Sequence, residues 1–242
     1  GSGPGRMPEP ETILAHVGRL LERDTLSGRR LLVTAGPTRE SVDPVRFLSN
    51  HSSGKMGVAL AASAWRRGGS VTLVAGPLAV APPVGVTLVS VESTSEMRDA
   101  VAARIGDADV VVMSAAPADY GPVERAPGKL KKTGGHRTIE LRETPDILVT
   151  TRAARRPGAI VVGFALDTYD RMAKAMRKLE GKRMDMVVHN AANEPGAGFA
   201  VDTNRVVLVR KGAAAPEQLP LLSKRDVADT ILDRVEAMLN ER

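Results

Sequence analysis

The sequence contains no cysteine. A disulfide framework, a thiol nucleophile and a thiolate metal site are therefore excluded. The chain also has no apolar run of about 18 residues, the length that a membrane span needs, and it does not open with the pattern of a signal peptide. We therefore expect a cytoplasmic protein that has no membrane partner.

Aromatic residues are also scarce, at 2% of the chain. Nucleic-acid-binding surfaces commonly stack bases on aromatic side chains, and few such side chains are available here. The formal net charge of +6 comes from basic residues spread along the whole sequence. Anionic small molecules explain this charge at least as well as a nucleic acid does, so no nucleic-acid partner is expected.

Two common phosphate-binding motifs are missing. The turn after the first apolar segment reads Ala35-Gly36-Pro37-Thr38, whereas a dinucleotide-binding domain would show G-x-G-x-x-G there. The segment Ser53-Gly54-Lys55-Met56 lacks the Ser or Thr that follows the lysine of a P-loop. These two departures count against an NAD-dependent enzyme and against a P-loop nucleotidase.

What the chain does have is a regular alternation of apolar segments and amphipathic segments. Continuous apolar runs separated by helices predict a mostly parallel sheet that is covered on both faces. The expected fold class is α/β, a three-layer Rossmann-like sheet with a mobile loop that covers the substrate. Strands are predicted at 31–35, 71–76, 109–115, 159–166, 185–191 and 205–212, and helices at 53–68, 94–105, 145–155, 167–182 and 222–239.

The domain organisation follows from the same pattern. Residues 1–27 are expected to be an expression scar, GSGPGR, followed by a linker helix over about 8–23, where apolar residues recur at helical spacing. Residues 28–242 are expected to form one domain, because 43% hydrophobic residues suffice for one large core.

Residues 113–132 leave the predicted strand 109–115 as a Pro/Gly-rich loop. The loop carries Asp119 and a basic group formed by Lys129, Lys131 and Lys132. Ligands of open α/β sheets bind beyond the carboxyl ends of the strands, so this loop is a candidate site for a phosphorylated substrate. The alternative is a solvated surface loop with scattered lysines.

A second candidate is the long 36–52 loop and the helix start that follows it. Asn50, Ser52, Ser53 and Gly54 stand where free backbone N–H groups and the helix dipole favour an anion. The alternative is that Ser52 or Ser53 only caps the helix.

Six motifs occur in order between residues 30 and 240: SNHSSGKMG, SAAPADY, GKLKK, ETPDIL, VGFALDT and VVHNAAN. In this arrangement the chain resembles the phosphopantothenoylcysteine synthetase domain of the bacterial bifunctional coenzyme A biosynthesis protein. The resemblance implies a ligase in which 4′-phosphopantothenate attacks CTP to give an acyl-cytidylate and pyrophosphate. The amine of cysteine then displaces CMP.

The resemblance also implies roles for individual residues. The essential lysine of the family corresponds to Lys129, and Asn50 corresponds to the asparagine linked to the acyl-cytidylate; Asn190 is a weaker candidate for ligand contact. Phosphopantothenate is expected at Asn50, Ser52, Ser53 and Gly54. The nucleotide contacts fall on Ser114, Ala115, Asp119, Lys129, Pro145, Asp146, Ile147, Leu148, Phe164, Lys178 and Lys182. For Lys178 and Lys182 a solvated basic helix face is the alternative.

The family further implies Mg²⁺ or Mn²⁺ with the nucleotide, although the sequence does not identify the metal ligands. It also implies a homodimer and a natural fusion behind a flavin-dependent decarboxylase. Gly121 stands where the family often has an aromatic or basic residue. A nucleotide-cofactor oxidoreductase and a non-catalytic nucleotide-binding module on the same fold remain the alternatives at this point.

Overall fold

The structure is a computed structural model that describes residues 5, 7–132, 134–166, 177, 179–190, 198 and 201–242. The described α-helices are α1 (Pro10–Leu21), α2 (Lys55–Arg66), α3 (Thr94–Ala102), α4 (Ile147–Thr150) and α5 (Lys224–Asn240). The strands are β1 (Arg30–Ala35), β2 (Arg39–Ser41), β3 (Phe47–Ser49), β4 (Ser70–Ala75), β5 (Thr87–Ser90), β6 (Val110–Met113), β7 (Tyr120–Pro122), β8 (Leu141–Glu143), β9 (Ile160–Leu166), β10 (Met186–Asn190), β11 (Thr203–Asn204), β12 (Val206–Arg210), β13 (Glu217–Gln218) and β14 (Leu222–Ser223).

The main sheet has eight strands in the order β13-β12-β10-β9-β6-β1-β4-β5. From β5 to β10 all neighbouring strands are parallel, and β12 and β13 add an antiparallel edge. The strand order runs outward from β1 to β4 and β5 on one side, and from β6 to β9 and β10 on the other. The order therefore reverses between β1 and β6, as in doubly wound nucleotide-binding folds.

Helices cover both faces of this sheet. On one face, α2 and α5 pack on alternate residues of the strands, such as Leu31, Val33 and Ala35 of β1. On the other face, α3 and α4 pack on Leu32, Val111 and Val161. Because both faces are buried, the central strands β6 and β9 are apolar throughout, which is why their sequences do not alternate. The predicted three-layer α/β fold is confirmed.

Helix α1 lies outside these layers. Its described residues include no buried side chain, and Leu14, Leu20 and Leu21 are 69%, 84% and 82% exposed. It contacts α2 through Trp65, whose ring meets His16 edge-on at 5.2 Å and lies under the guanidinium of Arg19 at 4.8 Å. The predicted helix in the first 27 residues is present, and Pro10 occupies its first turn without a capping side chain.

The structure corrects several sequence-based boundaries. The predicted helix 145–155 is only the single turn α4, and Pro145 precedes its N-cap Asp146 instead of lying in the first turn. A 3₁₀ turn at Arg152–Ala154 follows. Most of the predicted helix 167–182 lies outside the described residues; residues 179–181 are helical. Short hairpin strands at 39–41, 47–49, 120–122 and 141–143 were not predicted, because three residues are too few to show a period.

A close approach between α2 and β1 requires glycine at position 57. A Cβ added to Gly57 would lie 2.5 Å from Cβ of Ala35, 2.7 Å from Oγ of Ser114 and 2.9 Å from the carbonyl oxygen of Thr34. The Cβ of Ala35 and the carbonyl of Thr34 belong to β1 and cannot rotate away. The glycine therefore allows the helix start to lie directly against the junction of β1 and β6.

We predict that Gly57→Ala lowers the free energy of unfolding by about 1–3 kcal/mol, because overpacking against fixed backbone outweighs the helix propensity of alanine. Urea unfolding followed by circular dichroism measures this change. Gly181→Ala is the matched control: Gly181 is also helical, and an added Cβ meets no atom of the described residues within 4 Å. The control should be neutral or more stable by up to about 1 kcal/mol. Equal stability of Gly57→Ala and the wild type would contradict the close approach.

Candidate functional site

A cavity of about 470 Å³ lies at the carboxyl ends of the strands, at the point where the strand order reverses. The segment before α2, the segment after β6, the strands β9, β10 and β11, and the starts of α2 and α5 contribute to its wall. The lining residues are Asn50, His51, Ser52, Ser53, Gly54, Lys55, Met56, Gly57, Ser114, Ala115, Ala116, Pro117, Asp119, Phe164, Ala165, Asn190, Gly198, Asn204 and Lys224.

The floor of the cavity is held together by Thr34, which is fully buried at the end of β1. Its hydroxyl accepts the N–H of Ala115 at 3.1 Å, and its carbonyl accepts the hydroxyl of Ser114 at 2.5 Å. Just beyond, Pro37 and Ala116 form an isolated parallel bridge. Ser114 and Ala115 are thus fixed at the strand end, in the wall where the resemblance places the nucleotide.

Asn50 follows the β2–β3 hairpin and projects toward the loop after β6. Its side-chain nitrogen donates to the carbonyl oxygens of Pro117 at 2.8 Å and Ala116 at 3.2 Å. The donors of the amide are therefore directed at the protein. Its carbonyl oxygen is the part that can accept a hydrogen from a ligand.

The start of α2 forms another side of the cavity. Gly54 occupies the N-cap with φ of +76°, and no side chain caps the helix. The alternative that Ser52 or Ser53 serves as the helix cap is therefore wrong: the nearest contact is a long one, 3.4 Å from the N–H of Gly54 to Oγ of Ser52. A helix N-terminus that opens into a cavity without a capping side chain favours an anionic ligand there.

Two lysines that sequence reasoning did not select also line the cavity. Lys55 at the start of α2 pairs with Asp202 at 2.7 Å. Lys224 at the start of α5 is buried, and its ammonium donates to the carbonyls of Gly198 and Val201. Burial, and then the nearby charge of Lys55, lowers the pKa of Lys224. The two cations share one carboxylate, which leaves this side of the cavity positive.

The structure brings together many of the predicted site residues. Asn50, Ser52, Ser53, Gly54, Ser114, Ala115, Asp119 and Phe164 all line the cavity, as does the weaker candidate Asn190. Lys129 does not line it: this lysine is exposed on the loop beyond β7. Lys178 lies outside the described residues.

The turn at Pro145–Leu148 and Lys182 are also outside the cavity wall. Ile147 and Leu148 are buried in the core beneath the sheet face. Asp146 caps α4 through the N–H of Val149 at 3.0 Å and pairs with Lys182 at 2.7 Å. In this arrangement Lys182 is neutralised by a carboxylate, so its predicted contact with the nucleotide stays a prediction.

The pKa of Asp146 lies below its usual range. Burial alone would raise this pKa, but the hydrogen bond from Lys182, the N–H of Val149, the charge of Lys182 and the N–H of Leu148 outweigh that effect. The carboxylate is therefore held ionised by the lysine and by the helix start.

Of the residues that were missed, Lys55 lies inside the SSGKMG motif and could have been selected as a cation at a helix start. Asn204 and Lys224 carried no such signal. They come from the distant segments β11 and α5, and Asn204 reaches the site by donating to the side chain of Asn190 at 3.3 Å. Only the three-dimensional fold brings them to the cavity.

Gly121, which stands where the family often has an aromatic or basic residue, packs against the β2–β3 hairpin. Gly121 is buried, and an added Cβ would lie 3.2 Å from Cβ and Cγ of Glu40. A larger residue here would need Glu40 to move. Glu40 accepts the N–H of Thr94 at 2.8 Å, so glycine at 121 suits this particular packing of the two hairpins.

Within the described part of the chain, no group of three or more His, Asp or Glu side chains could hold a metal ion. The described residues likewise include no helix that is long and apolar enough to cross a membrane. Asp119 presents a carboxylate at the cavity, and none of the described cations lies within 4 Å of it. One carboxylate together with substrate phosphates is a common way for proteins to hold Mg²⁺, so this donor set fits such an ion.

The fold and the cavity together define an α/β domain with an uncapped helix N-terminus and a cavity at the reversal of strand order. A family model described as the DNA/pantothenate metabolism flavoprotein C-terminal domain matches residues 26–239. The chain belongs to this family.

Its relatives include the coenzyme A biosynthesis bifunctional protein CoaBC of Vibrio vulnificus (strain CMCP6), which is 41% identical over 98% of this chain. The CoaBC of Bacillus subtilis (strain 168) is 40% identical over 98% of this chain. The chain spans 59% of the length of both relatives.

Two solved structures are similar to this chain. The crystal structure of the C-terminal domain of a CoaBC protein shares 40% identity at a TM-score of 0.77, covering 90% of this chain and 100% of that domain. A Cab2 mutant in complex with phosphopantothenate-cysteine has a TM-score of 0.71, covering 97% of this chain and 96% of that one. At 16% identity, the second likeness concerns the fold alone.

We predict that Lys182→Met raises the pKa of Asp146 toward the value of about 3.9 for an unpaired aspartate. In the wild type the pKa of Asp146 is lower when folded than when unfolded, so the stabilisation is present above about pH 4 and is lost as pH falls through the folded pKa. The stability gap between wild type and variant should therefore narrow on acidification. NMR titration of the carboxyl carbon and urea unfolding at several pH values measure the two effects.

Lys211→Met is the control for this experiment, since Lys211 is exposed and none of the described residues pairs with its ammonium. It should leave the titration of Asp146 unchanged. An Asp146 pKa that is the same in Lys182→Met and wild type would show that the ion pair does not form in solution.

Proposed function

We propose that this domain joins 4′-phosphopantothenate to L-cysteine in coenzyme A biosynthesis, through an acyl-nucleotide intermediate. The observation that carries the proposal is the cavity itself. In a chain of this family it combines an uncapped helix N-terminus, a wall in which Lys55 and Lys224 share the single carboxylate of Asp202, and Asn50 at the reversal of strand order. The named activity of the CoaBC relatives and the likeness to the CoaBC C-terminal domain support the same conclusion.

In the first half-reaction, a carboxylate oxygen of 4′-phosphopantothenate attacks the α-phosphorus of the nucleotide. A P–O bond forms, the bond to the bridging oxygen breaks, and pyrophosphate leaves with the electron pair. The start of α2, Lys55 and Lys224 form the positive side of the cavity and suit the phosphate chain. Preorganised positive charge of this kind stabilises the negative charge that builds up in the transition state.

Asp119 would hold Mg²⁺ or Mn²⁺ together with the phosphates, and the ion would neutralise charge on the departing pyrophosphate. The ammonium of Lys129 would move from its exposed position on the loop to the phosphates after the nucleotide binds. Its four-carbon stem is flexible, and none of the described residues pairs with its ammonium.

In the second half-reaction, the neutral amine of cysteine attacks the acyl carbon, the C–O bond to the nucleotide breaks, and CMP leaves. The amine loses a proton as the amide forms, and the phosphate of the departing CMP or solvent water takes that proton. The side-chain carbonyl of Asn50 is placed to accept a hydrogen bond from that amine, because the donors of the same amide are held by Ala116 and Pro117. Asn50 thereby orients the nucleophile without itself changing charge.

We propose CTP as the nucleotide, as the resemblance implies. Phe164 is half-buried in the cavity wall and offers a face for the base. Of the main chain predicted to read the pyrimidine edge, residues 160–163 are paired with β6 inside the sheet, which leaves Phe164 at the cavity. The main-chain groups near 191–194 lie outside the described residues. A site that hydrogen-bonds one base leaves polar groups unpaired with another base, so CTP should be used more efficiently than ATP.

We also propose that the domain acts in the cytoplasm as a homodimer, fused in nature behind a flavin-dependent decarboxylase. The β2–β3 and β7–β8 hairpins lie against each other and expose large apolar side chains, which suits an interface between copies. These are Val45, Phe47, Tyr120, Val123 and Leu141.

The alternatives are less well supported. An oxidoreductase on this fold would bind a dinucleotide on a glycine-rich turn after β1, and Gly36-Pro37 gives a tight bridge to Ala116 there instead. A non-catalytic module would not need Asn50 held at two points in the cavity. Mixing the protein with NADPH, and separately with CTP, Mg²⁺ and 4′-phosphopantothenate, distinguishes the three functions. Pyrophosphate release supports the ligase, and NADPH turnover would support the oxidoreductase instead. Neither reaction is expected of a non-catalytic module.

We predict that Lys129→Gln reduces pyrophosphate release by a factor on the order of 100 to 1,000, because one charged contact in the transition state is lost, while CTP binding weakens less.

Asn50→Asp should retain part of the pyrophosphate release but form little amide. Its carboxylate cannot donate to Ala116 and Pro117 and would repel both carbonyls and the phosphorylated intermediate. Pyrophosphate release with and without cysteine, and mass detection of the acyl-cytidylate, measure the two steps.

Calorimetry of CTP binding is the control, since both variants should still bind the nucleotide. If both variants lost the two half-reactions in equal proportion, the division of roles between Lys129 and Asn50 would be wrong.

For the dimer, we predict that Leu141→Glu shifts the protein toward monomer at micromolar concentration. Light scattering measures the mass, and Leu88→Glu, an exposed leucine on the edge strand β5, is the control. A wild-type protein that is already monomeric would contradict the proposed assembly.

A further inference from the structure

A buried carboxylate outside the cavity ties the two candidate catalytic segments together. Asp43 lies in the turn between β2 and β3, and its side chain is 0% exposed. One oxygen, Oδ1, accepts the N–H groups of Val45 and Arg46, each at 2.8 Å. These two bonds close the turn of the hairpin that leads to Asn50.

The second oxygen serves a different part of the chain. Oδ2 accepts the N–H of Leu130 at 3.1 Å, as well as Nε of Arg46 at 3.0 Å. The N–H of Leu130 belongs to the peptide group that joins it to Lys129. The contact therefore fixes the backbone of Lys129 directly, across 87 residues of sequence.

Two further bonds hold the loop to the same hairpin. The guanidinium of Arg46 donates to the carbonyl of Leu130 at 2.6 Å, and the N–H of Ala126 donates to the carbonyl of Val42 at 2.9 Å. Beyond this attachment the side chain of Lys129 is exposed. The backbone of the lysine is thus fixed while its ammonium can still move.

The chemistry of these contacts requires an ionised carboxylate. Burial alone would raise the pKa of Asp43, but hydrogen bonds from the N–H groups of Leu130, Val45 and Arg46 and from the Arg46 side chain hold that pKa well below its usual range. A turn of this type needs only Oδ1, as an asparagine in the same position would provide. The second oxygen is what the lysine loop needs.

We propose that Asp43 is a positioning residue. It fixes the backbone of Lys129 relative to the hairpin that carries Asn50, for the half-reaction that activates the carboxylate with the nucleotide. The proposal rests on the proposed function for its catalytic consequence, and on the hydrogen bonds above for its geometry. Asp43 acts through the peptide of Lys129 and does not touch the substrate. Without this hydrogen bond, the ammonium of Lys129 would occupy a wider range of positions. Displacement of a catalytic group by about 1 Å can lower the rate on the order of 100-fold.

The test variant is Asp43→Asn. Its carbonyl oxygen can still accept the N–H groups of Val45 and Arg46, but its NH₂ group faces the N–H of Leu130 and the guanidinium of Arg46. The loop contact and the ion pair with Arg46 are therefore lost, while the main-chain bonds of the turn remain. We expect kcat for pyrophosphate release to fall on the order of 100-fold, with little change in KM for CTP. The melting temperature should fall as well, because the buried side chain no longer forms an ion pair with Arg46. Trypsin should cut faster after Lys129, Lys131 and Lys132, which are exposed on this loop.

Glu217→Gln is the matched control. Glu217 is a carboxylate that accepts two bonds from Arg234, at 2.6 and 2.9 Å, between β13 and α5 and away from both loops. It should leave kcat and the trypsin pattern of the 129–132 segment unchanged.

A double-mutant cycle with Lys129→Gln separates positioning from a general structural effect. If Asp43 acts through Lys129, Asp43→Asn should change the rate less than about threefold in the Lys129→Gln background. Losses that multiply, or a wild-type kcat in Asp43→Asn, would overturn the proposal. If Asp43→Asn fails to fold, Leu130→Pro removes the same N–H donor from the other side, and full activity of that variant would overturn the proposal.

The trypsin measurement needs no substrate, so it remains informative if the proposed function fails. A wild-type protein that releases no pyrophosphate would refute the proposed function. Unchanged cleavage of Asp43→Asn in the 129–132 segment would refute the anchoring of the loop.

Discussion

The parallel pairing of β1 with β6 is the constraint on which the site depends. Leu31 to Thr34 of β1 pair with Val110 to Met113 of β6 at the centre of the sheet. The chain leaves β1 toward β4 and leaves β6 toward β9, so the connections diverge on opposite sides. A crevice must remain above the carboxyl ends of these two strands, because no connection crosses it. The cavity is thus a consequence of strand order.

Loops at this edge of the sheet are held by buried hydroxyl groups. Thr38 is fully buried; its hydroxyl lies 2.7 Å from that of Thr94 and accepts the N–H of Ala118 at 2.9 Å. Its carbonyl accepts the hydroxyl of Ser49 at 2.7 Å. Buried backbone groups without partners would cost about 1–3 kcal/mol each, so these threonines allow irregular backbone to pack beside the sheet. These bonds fix the loops at this edge of the sheet, whereas Lys129 lies outside the cavity wall and is exposed.

Much of the fold could be predicted from the sequence because central strands and long helices have strong local patterns. The apolar run of β6 and the helix predicted at 222–239 are examples, and the structure has both, the helix with Ser223 as its N-cap. Asn50, Gly54 and Asp119 could be selected as well, since they follow strand ends or open a helix. Strands of two or three residues, such as β7, carry no such pattern.

The rest of the site depends on contacts between segments far apart in sequence. Lys224 reaches the cavity only because α5 packs beside α2. Asp43 looks like an ordinary turn residue until its second oxygen is seen to accept the N–H of Leu130. The boundary of α4 was misjudged because Pro145 fits the first turn of a helix, while Asp146 in fact caps the helix one residue later. The local helix and strand propensities of the sequence do not reveal these contacts between distant segments.

The central claim is that one cavity activates a carboxylate with a nucleotide before cysteine takes part. Isotope exchange between labelled pyrophosphate and CTP tests it most directly, because exchange requires reversible formation of the acyl-cytidylate. The account predicts exchange that depends on 4′-phosphopantothenate and proceeds without cysteine. Exchange that needs no 4′-phosphopantothenate, or none until cysteine is added, would contradict it.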